Sequence, residues 1–433
     1  MSKHNKQEER MNEIVCEYRT PANKKEIAIL GVCFKKNSNI DEWLCNENQD
    51  IYYSTKFMEE NQENMFIQIE SEPEKPISSI MDISTNNKED DSCWSGSMPN
   101  LPETGPKYIF PSSETTYKVT FRFKKPLKDI NLLFLGCTNL HSIDLSNFDT
   151  SELEDVFGLF AECHNLININ FGNSFKENKI KSVNYMFYSC LNLEQIDLAK
   201  FNTKNVENFE SMFETCEKMT SIDVSSMDTS NAKKISKMFA GMTNLKKIDL
   251  TTFNTSNLEE LDSLFFSCKN LEEANISNFN TEKLATFNEV FNQCKKLKTV
   301  DLSKLNLTNL ESFCSNFEGC ESLEIVDLTA NVMNNINQNS RNFCSCSKLK
   351  KIIIPNWKLN ENTSEFYCLA SNCPLLEEID MRNANDYPNL ATRRTDFIAK
   401  CDNLKKVILK KEGTTLIQNA ITSTNQNVEF ILV

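Results

Sequence analysis

Glycine and proline are both scarce, 9 and 11 in 433 residues, which excludes collagen-like and Pro/Gly-rich low-complexity chains. Long apolar runs are missing as well. The longest stretch, Ile27 to Phe34, is interrupted by Gly31 and falls far short of the ~20 residues a membrane-spanning helix needs. The first twenty residues, MSKHNKQEERMNEIVCEYRT, are charged and lack the apolar core of a signal peptide, so a cytoplasmic location is the expectation. No basic run offsets a formal net charge of −14, which repels nucleic-acid phosphate and anionic lipid and leaves basic proteins or cations as partners. Neither G-x-G-x-x-G nor G-x-x-x-x-G-K-[ST] occurs, so the common phosphate-cradling loops are absent. Histidines number three, His4 in a polar tail and His141 and His164 at variable positions, and no C-x-x-C pair is present. A Ser-His-Asp or Cys-His centre and a zinc site are therefore not expected, and the chain reads as a non-enzyme without metal or cofactor.

What the sequence does contain is a repeat. The phrase F-x-x-C-x-x-L-x-x-I-D-L returns with its phenylalanine at Phe134, Phe160, Phe187, Phe213, Phe239, Phe265, Phe291, Phe317 and Phe343, at steps of 26 residues and once 27. Ala370 and Ile398 continue the frame, giving eleven units. Within a unit the leucine and apolar pair, as in Leu245, Ile248 and Leu250, fit the L-x-x-L-x-L pattern of leucine-rich repeats and predict a short strand. Upstream of the phenylalanine, Leu258, Leu261 and Leu264 have helical spacing and predict a helical turn. The turn after the strand, F-N-T-S at Phe253 to Ser256, offers an Asn for an Asx-turn. Ser151 with Glu154 and Ser256 with Glu259 have capping-box spacing. The expected fold is an α/β repeat solenoid with a strand sheet on one face and short helical turns on the other. No unit can bury its own apolar face, so neighbours must stack, and strands ~4.8 Å apart would give a sheet roughly 50 Å long.

Ten cysteines share one repeat position: Cys137, Cys163, Cys190, Cys216, Cys268, Cys294, Cys320, Cys346, Cys373 and Cys401, with Met242 filling the gap. Buried structural thiols suit that slot. Disulfides between stacked cysteines and a metal ladder are the two alternatives. Cys314, Cys344 and Cys368 lie off the ladder and carry no signature.

Motifs such as MFETCEKMTSIDVSSMDTSN and LFFSCKNLEEANISNFNTEK resemble the BspA-like leucine-rich repeats of bacterial and protist surface proteins, from Phe134 to about Leu409, roughly two-thirds of the chain. The resemblance implies a binding or adhesion protein with no catalytic residues to carry over. It also implies a cell-surface location, against the cytoplasmic expectation from the leading residues.

Outside the repeats, residues 1–10 read as a disordered tail, 11–70 as a small β-rich module, and 71–106 as a flexible acidic linker. Residues 107–133, with the alternating YKVTFRF at Tyr117 to Phe123, read as an N-terminal cap, 134–411 as the repeats, and 412–433, ending in VEFILV, as a C-terminal cap.

Function is then expected on the exposed sheet face. Its repeated outward residue is Asp144, Asp197, Asp223, Asp249, Asp301, Asp327 and Asp380, with Asn170 and Asn275 in two further units. These carboxylates either attract a basic protein or bond neighbouring turn groups. Toward the C-terminus the outward positions turn apolar at Ile325, Ile353 and Ile408, flanked by Lys351 and Lys406. Those isoleucines either anchor a partner or are covered by the tail residues Phe430 and Ile431. The leading function is a non-catalytic protein-binding scaffold or adaptor; the alternative is an adhesin attaching to host or matrix proteins.

Overall fold

A backbone that repeats every 26 residues can satisfy its amides by donating to the carbonyl just before the equivalent position one coil later, and this chain does so. The structure, a computed structural model, describes residues 12–19, 26–28, 64–69, 75–76, 107–109, 116–359, 365–366, 368–384, 386 and 397–433. The expected tail 1–10, most of the linker 71–106 and the run beyond Ala28 lie outside the described residues. The chain divides into two compact units, Met1–Asn202 and Thr203–Val433.

In the second unit the front of most coils is a short parallel strand, while the coils at 221–224 and 299–302 run without strand pairing. Lys247–Asp249 pairs with Glu273–Asn275, and a five-stranded sheet runs Ile325–Asp327, Lys351–Ile353, Glu378–Met381, Lys406–Leu409, Glu429–Leu432. The middle residue of each three-residue strand, such as Ile248, Val326 or Ile352, is buried, and its neighbours face outward. Behind the strands the phenylalanines form a column. Rings 213, 239, 265, 291, 317 and 343 stack 5.7 to 6.2 Å apart, nearly parallel. Offset stacking adds about 0.5–1.5 kcal/mol per pair beyond area burial.

The back of each coil is not the helical turn that the spacing predicts. Leu258, Leu261 and Leu264 are buried as expected, but the chain around them runs in consecutive tight turns. Ser263 and Ser267 stand at φ 59° and 61°, left-handed positions that a right-handed helix cannot traverse. The same two sites recur as Ser211 and Thr215, Glu289 and Gln293, and Arg341 and Ser345. This kinked arc turns its amides along the stack: Ser263 N, Phe265 N and Ser267 N donate to the carbonyls of Asn288, Val290 and Asn292 at 2.8, 2.9 and 2.7 Å. A helical segment this short does not nucleate on its own, so bonds to the next coil win. Among the described residues α-helix occurs only at Thr415–Thr422, with 3-10 turns at Ser174–Lys176 and Leu198–Lys200. The architecture is thus a parallel β-solenoid with little helix, and the α/β description is corrected to that extent.

The turn after the strand also differs in one respect. Asp149, Asp228, Asn254 and Asn280 close Asx-turns onto the amide two residues on, as expected. The capping boxes do not form, since Glu154 N and Glu259 N donate to Lys128 O and Lys233 O of the preceding coil. Thr229 and Thr255 are buried and accept the amides of Asn254 and Asn280 at 2.8 and 2.7 Å.

In the first unit one sheet runs Lys75–Pro76, Met65–Ile69, Thr116–Phe123, Glu13–Arg19, Leu140–Asp144, Asn168–Asn170. Pairing is antiparallel up to Leu140–Asp144 and parallel from there. Strands from the segments read as module and cap therefore share a sheet, and the strand lying on the first repeat strand is Glu13–Arg19. It buries Ile14, Cys16 and Tyr18. Rings 134, 160 and 187 stack at 5.8 and 5.6 Å in this unit.

The ladder cysteines are all buried. Most of these thiols donate to the phenylalanine carbonyl one coil back, as Cys163 to Phe134 O at 3.0 Å, Cys190 to Phe160 O at 3.1 Å, Cys294 to Phe265 O at 3.2 Å and Cys320 to Phe291 O at 3.1 Å, whereas Cys401 donates to Ala399 O at 3.4 Å. A cysteine fits because the slot needs a small apolar body with one weak donor. Burial pushes the Cys268 thiol up to about 12, despite the hydrogen bond it makes to backbone. Since the thiolate is the reactive form, iodoacetamide under native conditions should leave the ten ladder cysteines unlabelled, and denaturation should expose all ten. Rapid native labelling of Cys268, Cys294 or Cys320, read by peptide mass spectrometry, would contradict this packing.

Candidate binding face

Strand periodicity places three side chains per coil on the front of the Thr203–Val433 unit. Two of these columns mix lysine with glutamate and come close to balance, each with one lysine in excess. The first reads Lys246, Glu272, Lys298, Glu324, Lys350, Glu377, Lys405 on successive coils. Neighbours pair as Lys298–Glu272 at 2.7 Å, Lys350–Glu324 at 2.8 Å and Lys405–Glu377 at 3.0 Å. In the second column Lys247 pairs with Glu273 at 2.6 Å, while Lys351 and Lys406 close on Glu378 at 2.9 and 3.4 Å. The Lys351 ammonium, with Lys406 beyond it, holds the Glu378 carboxyl below its ordinary range against the opposing effect of burial. Exposed pairs of this kind contribute ~0–1 kcal/mol each, so their main effect is to cancel the local field.

The third column carries the aspartates. Asp223, Asp249, Asp301 and Asp327 are exposed, and each accepts the backbone amide two residues on, from Ser225, Thr251, Ser303 and Thr329, at 2.9 Å. Their carboxylates thus bond turn groups, the second of the two roles open to them on sequence grounds, while remaining in solvent. Hydrogen bonds from Ser225, Thr251 and Ser303 hold the carboxyls of Asp223, Asp249 and Asp301 below the usual range. Among the described residues these four stand outside the close ion pairs of the neighbouring columns, with Lys304 adding an electrostatic pull on Asp301. Asn275 fills the same position and makes the same bond to Ser277 N at 3.1 Å, so a neutral amide suffices for the turn. In the first unit Asp144 and Asp197 likewise accept from Ser146 N and Ala199 N at 2.8 and 3.1 Å, and Asn170 accepts from Gly172 N at 3.0 Å.

Asp380 differs from the others. It is buried, and its carboxylate is held by the guanidinium of Arg382, a partner the repeat pattern did not reveal because position 382 is serine or threonine in most coils.

The structure splits the apolar positions between columns. Ile325, 53% exposed, registers with Lys351 in the second column. Ile353 and Ile408 lie in the aspartate column on either side of Asp380, and Ile408 registers with Ile431. The C-terminal segment does not cross this face; Glu429–Leu432 adds a parallel strand beside Lys406–Leu409, with Phe430 level with Val407. Ile353 and Ile408 remain half-buried on the front.

No helix among the described residues is long and apolar enough to cross a membrane. No curated protein matches the chain. Among solved structures, a leucine-rich-repeat protein of Leptospira interrogans is 11% identical over 68% of this chain and 91% of its own, with a TM-score of 0.24. The Toll–Spatzle complex of Drosophila gives 14% identity over 60% of this chain and 46% of that chain, with a TM-score of 0.23. The TLR13–ssRNA13 complex gives 13% identity over 71% and 65%, with a TM-score of 0.20. A family described as "Mycoplasma protein of unknown function, DUF285" matches residues 128–248 and 233–357. These two stretches overlap and together span more than half of the 433 residues, all of it solenoid coils with the phenylalanine and cysteine columns described above, so the chain belongs to the DUF285 family.

Proposed function

We propose that the chain is a non-catalytic scaffold that binds a basic protein on the front face of its Thr203–Val433 unit. One observation carries the reading: charge in the aspartate column exceeds what the turns require. Asn275 makes the Asx-turn without charge, yet four neighbouring positions keep a carboxylate. Carboxylates on successive coils repel one another, and the column keeps a charge that the turn itself does not call for. Within each adjoining column lysine and glutamate largely cancel, with one lysine left over in each, so the aspartates are the main source of negative potential on this face. A partner carrying lysine or arginine at matching spacing gains that potential, chiefly in association rate and orientation. Ile353 and Ile408 supply the apolar contact at the end of the column, where the field fades.

The triple change Asp223→Asn, Asp249→Asn, Asp301→Asn separates the two roles, because the amide keeps the turn bond and removes the charge. Binding of an oligolysine peptide should weaken and lose most of its salt dependence, while thermal stability at neutral pH stays within about 0.5 kcal/mol. Unchanged affinity and salt slope would contradict the proposal. The same variant has a pH signature. These carboxyls titrate below their unfolded value, so their contribution to stability is present above the unfolded pKa of ~3.9 and is lost as pH falls through the lowered folded values. Acid unfolding of the triple variant should accordingly be shallower over that window.

The double change Ile353→Asp, Ile408→Asp tests the anchor. Both side chains are half-buried on the front, so loss of basic-protein binding with a melting curve shifted by only a few degrees is expected. Unfolding of the last coils, or binding left intact, would remove these isoleucines from the contact.

A further inference from the structure

Cys344 and Cys368 follow a different geometry from the cysteine column. Cys344 ends the strand Phe343–Cys344, which pairs in parallel with Ala370–Ser371 of the next coil. One turn of chain earlier, Arg341 N donates to Cys368 O at 2.5 Å and Phe343 N to Leu369 O at 3.0 Å. These main-chain bonds hold the two segments side by side, and they bring Cys344 Sγ within 2.8 Å of Cys368 Sγ. Column thiols such as Cys163, Cys190, Cys294 and Cys320 donate to phenylalanine carbonyls; this pair is turned sulfur to sulfur. Their exposure also differs: Cys344 is buried, whereas Cys368 is partly open to solvent. Beside them stands Arg341, whose guanidinium is fixed by Glu318.

We propose that Cys344 and Cys368 form a reversible thiol–disulfide site, in which a low-molecular-weight disulfide such as oxidised glutathione converts the pair into a cystine joining two successive coils. The exposed member attacks first. The Cys368 thiolate displaces one sulfur of the small disulfide, forming a mixed disulfide and releasing one thiolate that takes up a proton from solvent. Cys344 then loses its proton to solvent and attacks Cys368 Sγ, forming the Cys344–Cys368 bond and releasing the second small thiol. Overall two protein thiols and one small disulfide give one cystine and two small thiols. The protein sulfurs are oxidised by two electrons and the small disulfide is reduced by the same two. Excess small thiol reverses both steps.

The division of roles follows from the surroundings. The hydrogen bond from Cys344 holds the Cys368 thiol below its ordinary range, with Ser371 and Arg341 adding to this against burial. The hydrogen bond to Cys368 and burial together push Cys344 up. Low thiol pKa with solvent access marks the attacking cysteine, and the buried neighbour resolves. The column offers no such entry at its last coils, because Cys346, Cys373 and Cys401 interact with one another but are all buried. The cystine would close a 25-residue ring, Cys344 to Cys368, and fix the separation of two coils next to the front strands Lys351–Ile353 and Glu378–Met381.

The test uses the full chain, reduced and freed of reductant, then incubated natively with oxidised glutathione, quenched in acid, alkylated in denaturant and mapped by mass spectrometry. A linked Cys344–Cys368 peptide should accumulate while the ten column cysteines stay alkylatable, and reduced glutathione should reverse it. Cys344→Ser should stop at a stable glutathione adduct on Cys368, and Cys368→Ser should give neither adduct nor link. Absence of the linked peptide in the unmodified protein overturns the proposal whether or not the variants fold. So does a Cys346–Cys373 or Cys373–Cys401 link formed in preference to it, or a link that appears only after denaturation.

Discussion

Register between coils is the constraint on which everything else rests. Each arc amide, such as Phe239 N to Leu264 O at 3.2 Å or Gly241 N to Phe266 O at 2.7 Å, is satisfied only if the next coil presents the carbonyl just before the equivalent position. A buried amide left without a partner costs ~1–3 kcal/mol, so an inserted or deleted residue would forfeit several such bonds at once. That penalty keeps phenylalanine over phenylalanine, cysteine under phenylalanine carbonyl and threonine against the Asn amide. The left-handed residues of the arc are the cost of this arrangement, about 1–2 kcal/mol each. At Gly241, φ 69°, the side chain is absent altogether, and a Cβ there would meet the Thr215 methyl at 2.7 Å.

Much of this was legible in the amino acids because a repeat writes its contacts many times over. The buried columns at Phe213 to Phe343, the cysteine slot, the outward aspartates and the Asx-turns all follow from position within the 26-residue frame. The back of the coil was not legible, since apolar residues three apart, as at Leu258, Leu261 and Leu264, fit both a helical turn and an arc of tight turns. Only the left-handed Ser263 and Ser267 decide between them, and serine carries no mark of that conformation. The placement of Glu13–Arg19 between Thr116–Phe123 and Leu140–Asp144 was equally hidden, because pairing across more than a hundred residues leaves no local pattern.

On the binding face, single positions were legible and their combination was not. The alternation of lysine and glutamate from Lys246 to Lys405 appears only when successive coils are compared at one frame position, and it is what leaves the aspartate column as the main source of negative potential. Ile325 looked like a neighbour of Ile353 in the sequence, yet two residues of strand register put it in another column. Arg382, by contrast, departs from the serine or threonine usual at its frame position, and that departure is the one sign in the sequence that Asp380 is engaged. Departures from a strict repeat are therefore as informative as the repeat itself: Arg382 and the off-column cysteines 344 and 368 both mark places where the coil does something its neighbours do not.

Native-state amide hydrogen exchange tests the stacking most directly. Arc amides at Phe213, Thr215, Phe239, Gly241, Phe265 and Ser267, bonded to the next coil, should exchange orders of magnitude more slowly than the solvent-facing Asx-turn amides at Ser225, Thr251 and Ser303. Arc amides that exchange as fast as those turn amides would mean that the back of the coil is held by local turns and not by its neighbours, contradicting the in-register solenoid.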